Sequence, residues 1–513
     1  MKKVIVIVVA LVVVLQLFSQ ERFYSLYPGW TINVAIESEN IYTTLGLDTL
    51  NYGYENTPIF NVLDETGDLL HSYRYVSDTI VGFSNYTSRS YSFHDDYFIA
   101  SGVYREYTKS YILNPILMYF NNSTFYLDSI IDFKEFFAGR STQIKFHKEN
   151  DNSIFLLGTV QINLDWTTNT FFGIYDPSDG SFSYKDYTRP NNCKMTPYQL
   201  HPTHDGGYII STEQDMTWTD PEIVNACLVK IDVNGNEQWR LIVGDDSTCN
   251  FRPRIFDAPD GNYYVVWTDP YYVTTWNMQL SSTSTIRIAK LIDNGTSGEL
   301  LNEVDLWHDL GNFARFPYVI RDSYQDSIGN MFLLIQCEYI SGLVKIFPNG
   351  RGAWLRSYRV FPENNPTYSV TSLYGMSRTS DGGFMLTGEF RSDPGAMFPN
   401  GIYSALAIKL DSCGCLDAEG CNPHCGDSYL PQYIRMPQAE VYPNPAVDRI
   451  TIQLPDGEYN IKIYSTGGQL LQEENTEAGA ETTVSVAELP PGHYTMLVSG
   501  GGKLYRAKFV KVE

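Results

Sequence analysis

The sequence predicts an all-β protein: a seven-bladed β-propeller with four-stranded blades, followed by a small β-sandwich. Three observations predict it. An Asp-Gly turn feeding a short apolar run recurs along the chain, most clearly at residues 381–388 (DGGFMLTG). Related stretches begin at Asp95 (DDYFIASG), Asp151 (DNSIFLLG), Asp205 (DGGYIIST), Asp260 (DGNYYVVW) and Ile328 (IGNMFLLI), with a weaker one at Ser38 (SENIYTTLG). Their starts are 57, 56, 54, 55, 68 and 53 residues apart. Glycine supplies the positive φ of such a turn, and the apolar run is too short for a helix. A second signal runs in step, an apolar strand ending in a polar turn, as in residues 227–239 (CLVKIDVNGNEQW). Aromatics make up 14% of the chain, led by 38 tyrosines, a composition that favours strands.

Each unit therefore reads as four strands, one on either side of the Asp-Gly turn and one on either side of the Asn-Gly turn. Four strands in about 55 residues is the scale of a propeller blade. A lone meander exposes two faces and two edges, whereas a ring of blades buries the faces and leaves no free end.

In chain order, residues 1–19 read as an export signal. Lys2 and Lys3 precede an apolar run from Val4 to Phe18 broken only by Gln16, and Ser19 offers a small residue for cleavage. That run is short for a membrane span. Residues 20–412 hold the propeller repeats. The last unit lacks an outer strand, and its counterpart sits at residues 21–27 (ERFYSLY), which match residues 237–243 (EQWRLIV). The mature N-terminus is thus expected to close the ring. Residues 413–438 read as a linker with Cys413, Cys415, Cys421, Cys425 and three prolines, Pro423, Pro431 and Pro437. Residues 439–513 form a separate β module, with strands expected near 450–454, 459–464, 482–486, 493–499 and 503–512 and few contacts to the propeller.

Composition excludes some partners. A net charge of −23 argues against nucleic acid, which needs a basic surface. Eight cysteines in an exported chain are compatible with disulfides, and Cys413, Cys415, Cys421 and Cys425 are the candidates for bridging the linker. Zinc at this cluster with His424 fits no familiar spacing.

Other chemistry is sparse. His201 and His204 before Asp205 lie three apart, which on a strand puts them on opposite faces, so no metal site is assigned. The Asp-Gly turns offer one or two oxygens each, too few for a calcium loop, and turn chemistry accounts for them; no cofactor is expected. No G-x-S-x-G or H-E-x-x-H is present, and paired acids such as Asp95-Asp96 and Asp245-Asp246 fall in turns, so no catalytic residue is assigned. Tyr271, Tyr272 and Trp276 are aromatics that could stack on sugar rings.

The C-terminal module resembles the sorting domain of type IX secretion cargo. Residues 441–452 (VYPNPAVDRITI) match its opening YPNP motif, with Tyr442, Pro443, Asn444 and Pro445. Residues 461–471 (IKIYSTGGQLL) match its central motif through Gly467 and Gly468. Residues 489–494 (LPPGHY), with Pro491 and Gly492, and Lys508 in KFVK match its close. The repeats also resemble the DGGY…LVKxDxNG arrays of such cargo. The resemblance implies partnership with the type IX machinery, a β-sandwich that carries the signal, and delivery to the cell surface or medium without a transmembrane anchor. The function expected is a binding module for a glycan or protein; a carbohydrate-active hydrolase using the bore, or a structural surface-layer component, are the alternatives.

Overall fold

The computed structural model describes residues 23–512 except for segments 49–56, 75–79, 84–90, 106–112, 162–167, 188–194, 216–223, 245–250, 270–284, 311–318, 362–368, 393–402 and 417–428, and stretches of one to four residues elsewhere. The export signal, Tyr271, Tyr272, Trp276, Asp95, Asp245, Asp246, Cys421, Cys425, His424, Gly467 and Gly468 lie outside the described residues.

Seven sheets follow one another around a ring: residues 30–74, 80–132, 142–187, 195–243, 251–305, 319–361, and 369–410 joined by Phe23–Pro28. We number them blades 1 to 7. Inner strands of successive blades touch, and blade 1 meets blade 7. The closing strand pairs antiparallel with Tyr403–Leu410, from Phe23 opposite Lys409 to Pro28 opposite Ser404. Closure by the N-terminal segment is as the sequence predicts, and it removes the edge that blade 7 would otherwise expose.

The repeated letters have a shared physical cause. Asp205 accepts from Thr203 Oγ1 (2.6 Å), Gly207 N–H (3.2 Å) and Lys230 Nζ (2.8 Å). Asp381 repeats this with Thr379 (2.6 Å), Gly383 (2.9 Å) and Lys409 (2.6 Å). The lysine of LVKID thus neutralises the aspartate of DGG, although Lys230 is fully buried. The next turn is organised by Asp232, which accepts from the N–H groups of Asn234 (2.9 Å) and Asn236 (2.8 Å). Outer aromatics then lock blade 3 to 4, blade 4 to 5 and blade 6 to the last turn of blade 7. Tyr187 donates to Gly235 O (2.7 Å), Trp239 to Asp293 (3.0 Å) and Tyr358 to Gly414 O (2.7 Å).

Three features depart from the expected layout. Cys413 and Cys415 belong to the last turn of blade 7, because both N–H groups donate to Asp411 (2.9 and 2.8 Å) just as Asn234 and Asn236 donate to Asp232. Tyr429–Arg435, within the stretch read as linker, is a fifth strand of blade 6, parallel to Gly352–Phe361. Its prolines hid it, yet Pro431 is tolerated because the strand lies at the sheet edge. The C-terminal module does not stand apart. Leu497 joins the apolar cluster formed by blades 6 and 7, with Tyr464 packed against it. Both project from the outer face of the sandwich, and two apolar side chains there need cover.

That module pairs a three-stranded sheet (Val441–Tyr442, Arg449–Ile452, Thr482–Ser485) with a four-stranded one (Leu470–Ala478, Gly457–Ser465, Gly492–Gly500, Lys503–Lys511). Ile450, Ile452, Ile461, Ile463, Met496 and Phe509 meet between them. Leu470–Ala478 has no apolar alternation, and its charged residues suit the edge position it takes. The YPNP segment turns between Val441–Tyr442 and Arg449–Ile452, which pair.

Candidate functional site

Every blade carries a register shift in its innermost strand, and the shifts fall at matching places. The ladder slips between Ile32 and Val34, Ile80 and Gly82, Ile144 and Phe146, Pro197 and Gln199, Phe251 and Arg254, Ile320 and Asp322, and Leu373 and Gly375. A bulge leaves a residue out of the ladder and re-aims its side chain. In blades 4 to 7 the residues so displaced include Tyr198, Arg252, Arg321 and Tyr374.

These four form one polar cluster. Tyr198 Oη donates to Glu213 (2.5 Å), whose other oxygen accepts from Arg252 N–H (2.9 Å). The Arg252 guanidinium lies 5.2 Å from the centre of the Tyr198 ring, and Arg321 lies 5.6 Å from that of Tyr374. Tyr374 Oη donates to Glu389 (2.7 Å), which also pairs with Arg391. The two Tyr–Glu pairs, on blades 4 and 7, thus flank the two arginines of blades 5 and 6.

The arginines are held at a cost. Arg252 has φ of 47°, a left-handed conformation that is strained in a residue with a Cβ. Arg321 Nε donates to the neutral amide of Gln336 (2.6 Å), itself anchored on Ser372 (2.7 Å). Among the described residues no carboxylate lies within ion-pair distance of Arg321. Burial, and next the charge of Arg252, depress its guanidinium to about 10. Burial first, and then the neighbouring Glu389, push the Tyr374 hydroxyl up, so it remains a donor. The carboxylates Glu213 and Glu389 belong to different blades, and each is already engaged by a tyrosine hydroxyl. That arrangement suits recognition better than an acid and base poised across a bond.

A cleft of about 650 Å³ lies where the inner strands end, lined by His201, Asp257, Phe256, Gln325 and Ile328 among others. His201 Nε2 is 3.0 Å from Asp257 Oδ1, and that hydrogen bond lowers the Asp257 carboxyl. His204 stacks on Tyr263 with ring centres 5.6 Å apart, while Asp205 is taken by Lys230. His201 meets the edge of the same ring, also at 5.6 Å, so both histidines border Tyr263, yet among the described residues no group of three or more His, Cys, Asp or Glu could hold a metal.

The predicted sorting residues partly assemble. Asn444 Nδ2 donates to Lys508 O (3.1 Å) and its Oδ1 accepts from Val510 N–H (2.9 Å), so the opening motif clasps the last strand. Gly492 pairs with Lys511 in the same sheet, and Pro490 O accepts from Tyr494. Tyr442 reaches Glu481 (2.8 Å), and Pro443 and Pro445 occupy the turn between. Residues 440–512 match the family described as the secretion system C-terminal sorting domain. The C-terminal module is a sorting domain of type IX cargo. The chain is accordingly exported to the cell surface or secreted, and its sorting domain engages the type IX machinery. No helix among the described residues is long and apolar enough to cross a membrane.

No curated protein sequence matches the chain. Solved structures with some likeness include the plexin A4 extracellular region, domains 1 to 8 (8% identity, 96% of this chain and 67% of that one, TM-score 0.43). Polysaccharide lyase Uly1 is another (11% identity, 75% and 90%, TM-score 0.42). A third is the β-propeller domain of the trilobed protease from Pyrococcus furiosus (6% identity, 71% and 96%, TM-score 0.35).

Sequence reading found none of the four cluster residues. The signal that could have found them is their distance from the turn glycine. Tyr198, Arg321 and Tyr374 precede Gly206, Gly329 and Gly382 by 8 (206 − 198, 329 − 321, 382 − 374), and Arg252 precedes Gly261 by 9 (261 − 252).

Proposed function

We propose that this chain is an exported glycan-binding propeller, delivered by its sorting domain and recognising its ligand through the bore cluster of blades 4 to 7. The observation that carries the reading is the delivery of Tyr198, Arg252, Arg321 and Tyr374 to one place by bulges in four successive inner strands. Repeating a bulge costs ladder hydrogen bonds, and what the four gain in common is a shared polar surface. Fold alone would not support the reading, because propellers host many chemistries. Residues 1–19 are proposed to be removed on export. Cys413 and Cys415, fixed in the blade 7 turn, are proposed to bridge to Cys421 and Cys425.

The test is a glycan array probed with the exported chain, beside an assay for newly formed sugar ends. Saturable binding without turnover supports the reading, and turnover would make the chain an enzyme instead. Delivery is tested separately. Removing residues 439–513 is expected to hold the propeller in the periplasm, and grafting them with an export signal onto an unrelated protein should send it to the surface. Normal surface arrival of the truncated chain would overturn the assigned role of the sorting domain.

A further inference from the structure

The bore cluster combines features that restrict its ligand, and the inference rests on the glycan-binding reading above. Two arginines stand at the bulges of adjacent blades, 5 and 6, one over the Tyr198 ring and the other over the Tyr374 ring, near enough for the charge of Arg252 to act on Arg321. Among the described residues the one carboxylate within ion-pair distance of Arg252 is Glu213, at 3.8 Å from Nε, at the limit of an ion pair. Arg321 holds its Nε on a neutral amide. In a chain with net charge −23, a partly buried cluster in which Arg252, Arg254, Arg321 and Arg391 outnumber Glu213 and Glu389 is an exception that calls for an anion.

We propose that Arg252 and Arg321 together bind the single anionic group, carboxylate or sulfate, of an acidic sugar, while Glu213 and Glu389 accept hydrogen bonds from its hydroxyls.

Guanidinium groups match two oxygens of one carboxylate or sulfate through paired N–H donors, and a ligand anion supplies the acceptors that Gln336 alone cannot. The arginine already burdened by its neighbour's charge gains most, because an anion between the two turns repulsion into shared attraction. The flanking Tyr–Glu pairs narrow the choice further. A bare phosphate or a dense polyanion would meet two carboxylates at 12% and 3% side-chain exposure on either side of the arginines. A sugar acid presents hydroxyl donors beside its anion and satisfies both kinds of group at once. The overall negative charge of the propeller likewise disfavours long, densely charged chains.

The experiment is isothermal titration of the full exported chain with four probes: the methyl glycoside of galacturonic acid, its neutral methyl ester, a monosulfated galactose disaccharide and inorganic sulfate. The galacturonate glycoside or the monosulfated disaccharide is expected to bind, and which of them does so identifies the anion. The methyl ester and inorganic sulfate should bind at least 10-fold more weakly, the scale of one charge-assisted hydrogen bond. Arg321→Gln and Arg252→Gln should each weaken binding roughly 10- to 100-fold and flatten its salt dependence. Arg240→Gln, on the outer strand of blade 4 where it pairs with Glu237, should change nothing. Arg321→Lys keeps the charge, so it serves if Arg321→Gln fails to fold; it should bind more weakly than the parent through loss of the paired donors. Equal binding of acid and methyl ester, or binding indifferent to both arginines, would overturn the inference while leaving a glycan-binding propeller. Binding of inorganic sulfate as tight as any sugar would also overturn it. Absence of binding to every saccharide, on the array as well, would remove both readings.

Discussion

Replacing Gly388 by alanine tests how closely the inner strand of blade 7 is held. Ordinarily such a change in a strand is favourable by about 0.4–1 kcal/mol, since alanine restricts the unfolded chain more than glycine does. Here the added methyl would lie 1.9 Å from Ser372 O and 2.7 Å from Leu373 Cα, both backbone atoms. Carbon and oxygen settle at about 3.3 Å, so the bulged strand would have to retreat by roughly 1.4 Å. Overpacking of this kind costs about 1–3 kcal/mol, which outweighs the entropic gain and leaves a net loss of about 1–2 kcal/mol. Urea unfolding followed by tryptophan fluorescence measures it, because Trp354 packs in the same cluster as Phe384 and Leu386. The midpoint should fall with an unchanged slope. Ligand affinity should fall too, since Tyr374 follows Leu373, the residue that must move. Blade 4 provides the counter-argument, because Thr212 opposes Pro197 at its own bulge. If blade 7 could relax toward that arrangement, Gly388→Ala would be neutral or stabilising, and a midpoint equal to or above the parent's would refute the reasoning.

Lys230→Met should destabilise the propeller by about 2 kcal/mol in the same urea assay, less than for a fully buried pair because Asp205 is 47% exposed; adding Asp205→Asn should recover part of the loss, and strict additivity would count against coupling. Burial raises the Asp205 carboxyl, but hydrogen bonds from Lys230, Thr203 and Gly207 outweigh it and hold the group at about 2 rather than 3.8. A lowered folded-state value means its stabilisation is complete above about pH 4 and is lost as pH falls toward 2, so the difference between parent and Asp205→Asn should shrink over that window. Deleting residues 20–29 should lower the melting temperature of the whole propeller, as blade 7 loses the strand paired with Tyr403–Leu410; an unchanged melt would mean the strand does not close the ring. Non-reducing peptide mapping of the exported protein should show Cys413 and Cys415 in bridged peptides, and four alkylatable thiols among Cys413, Cys415, Cys421 and Cys425 would reject the bridges.

Much of this protein could be read from its sequence because local chemistry repeats. The DGG and NGN turns need glycine at positive φ and a carboxylate to gather N–H groups, so Asp205, Gly206, Asp232 and Gly235 mark blade edges wherever they recur. Seven such marks give seven blades, and the orphaned strand at residues 21–27 gives closure. The sorting domain was legible for the same reason, since YPNP and LPPGHY are turn and strand-start chemistry within a few residues. What the tertiary structure decided depends on positions far apart in the chain. Lys230 looks like a surface lysine until Asp205 and Asp293, 25 and 63 residues away, enclose it. Leu497 looks like any strand residue until blades 6 and 7 cover it. Tyr198, Arg252, Arg321 and Tyr374 share no motif, because a bulge shifts hydrogen-bond register without demanding a particular side chain. Only the ring brings the four blades together, so that these four side chains meet is set by the packing of blade on blade, which a spacing within one blade does not reveal.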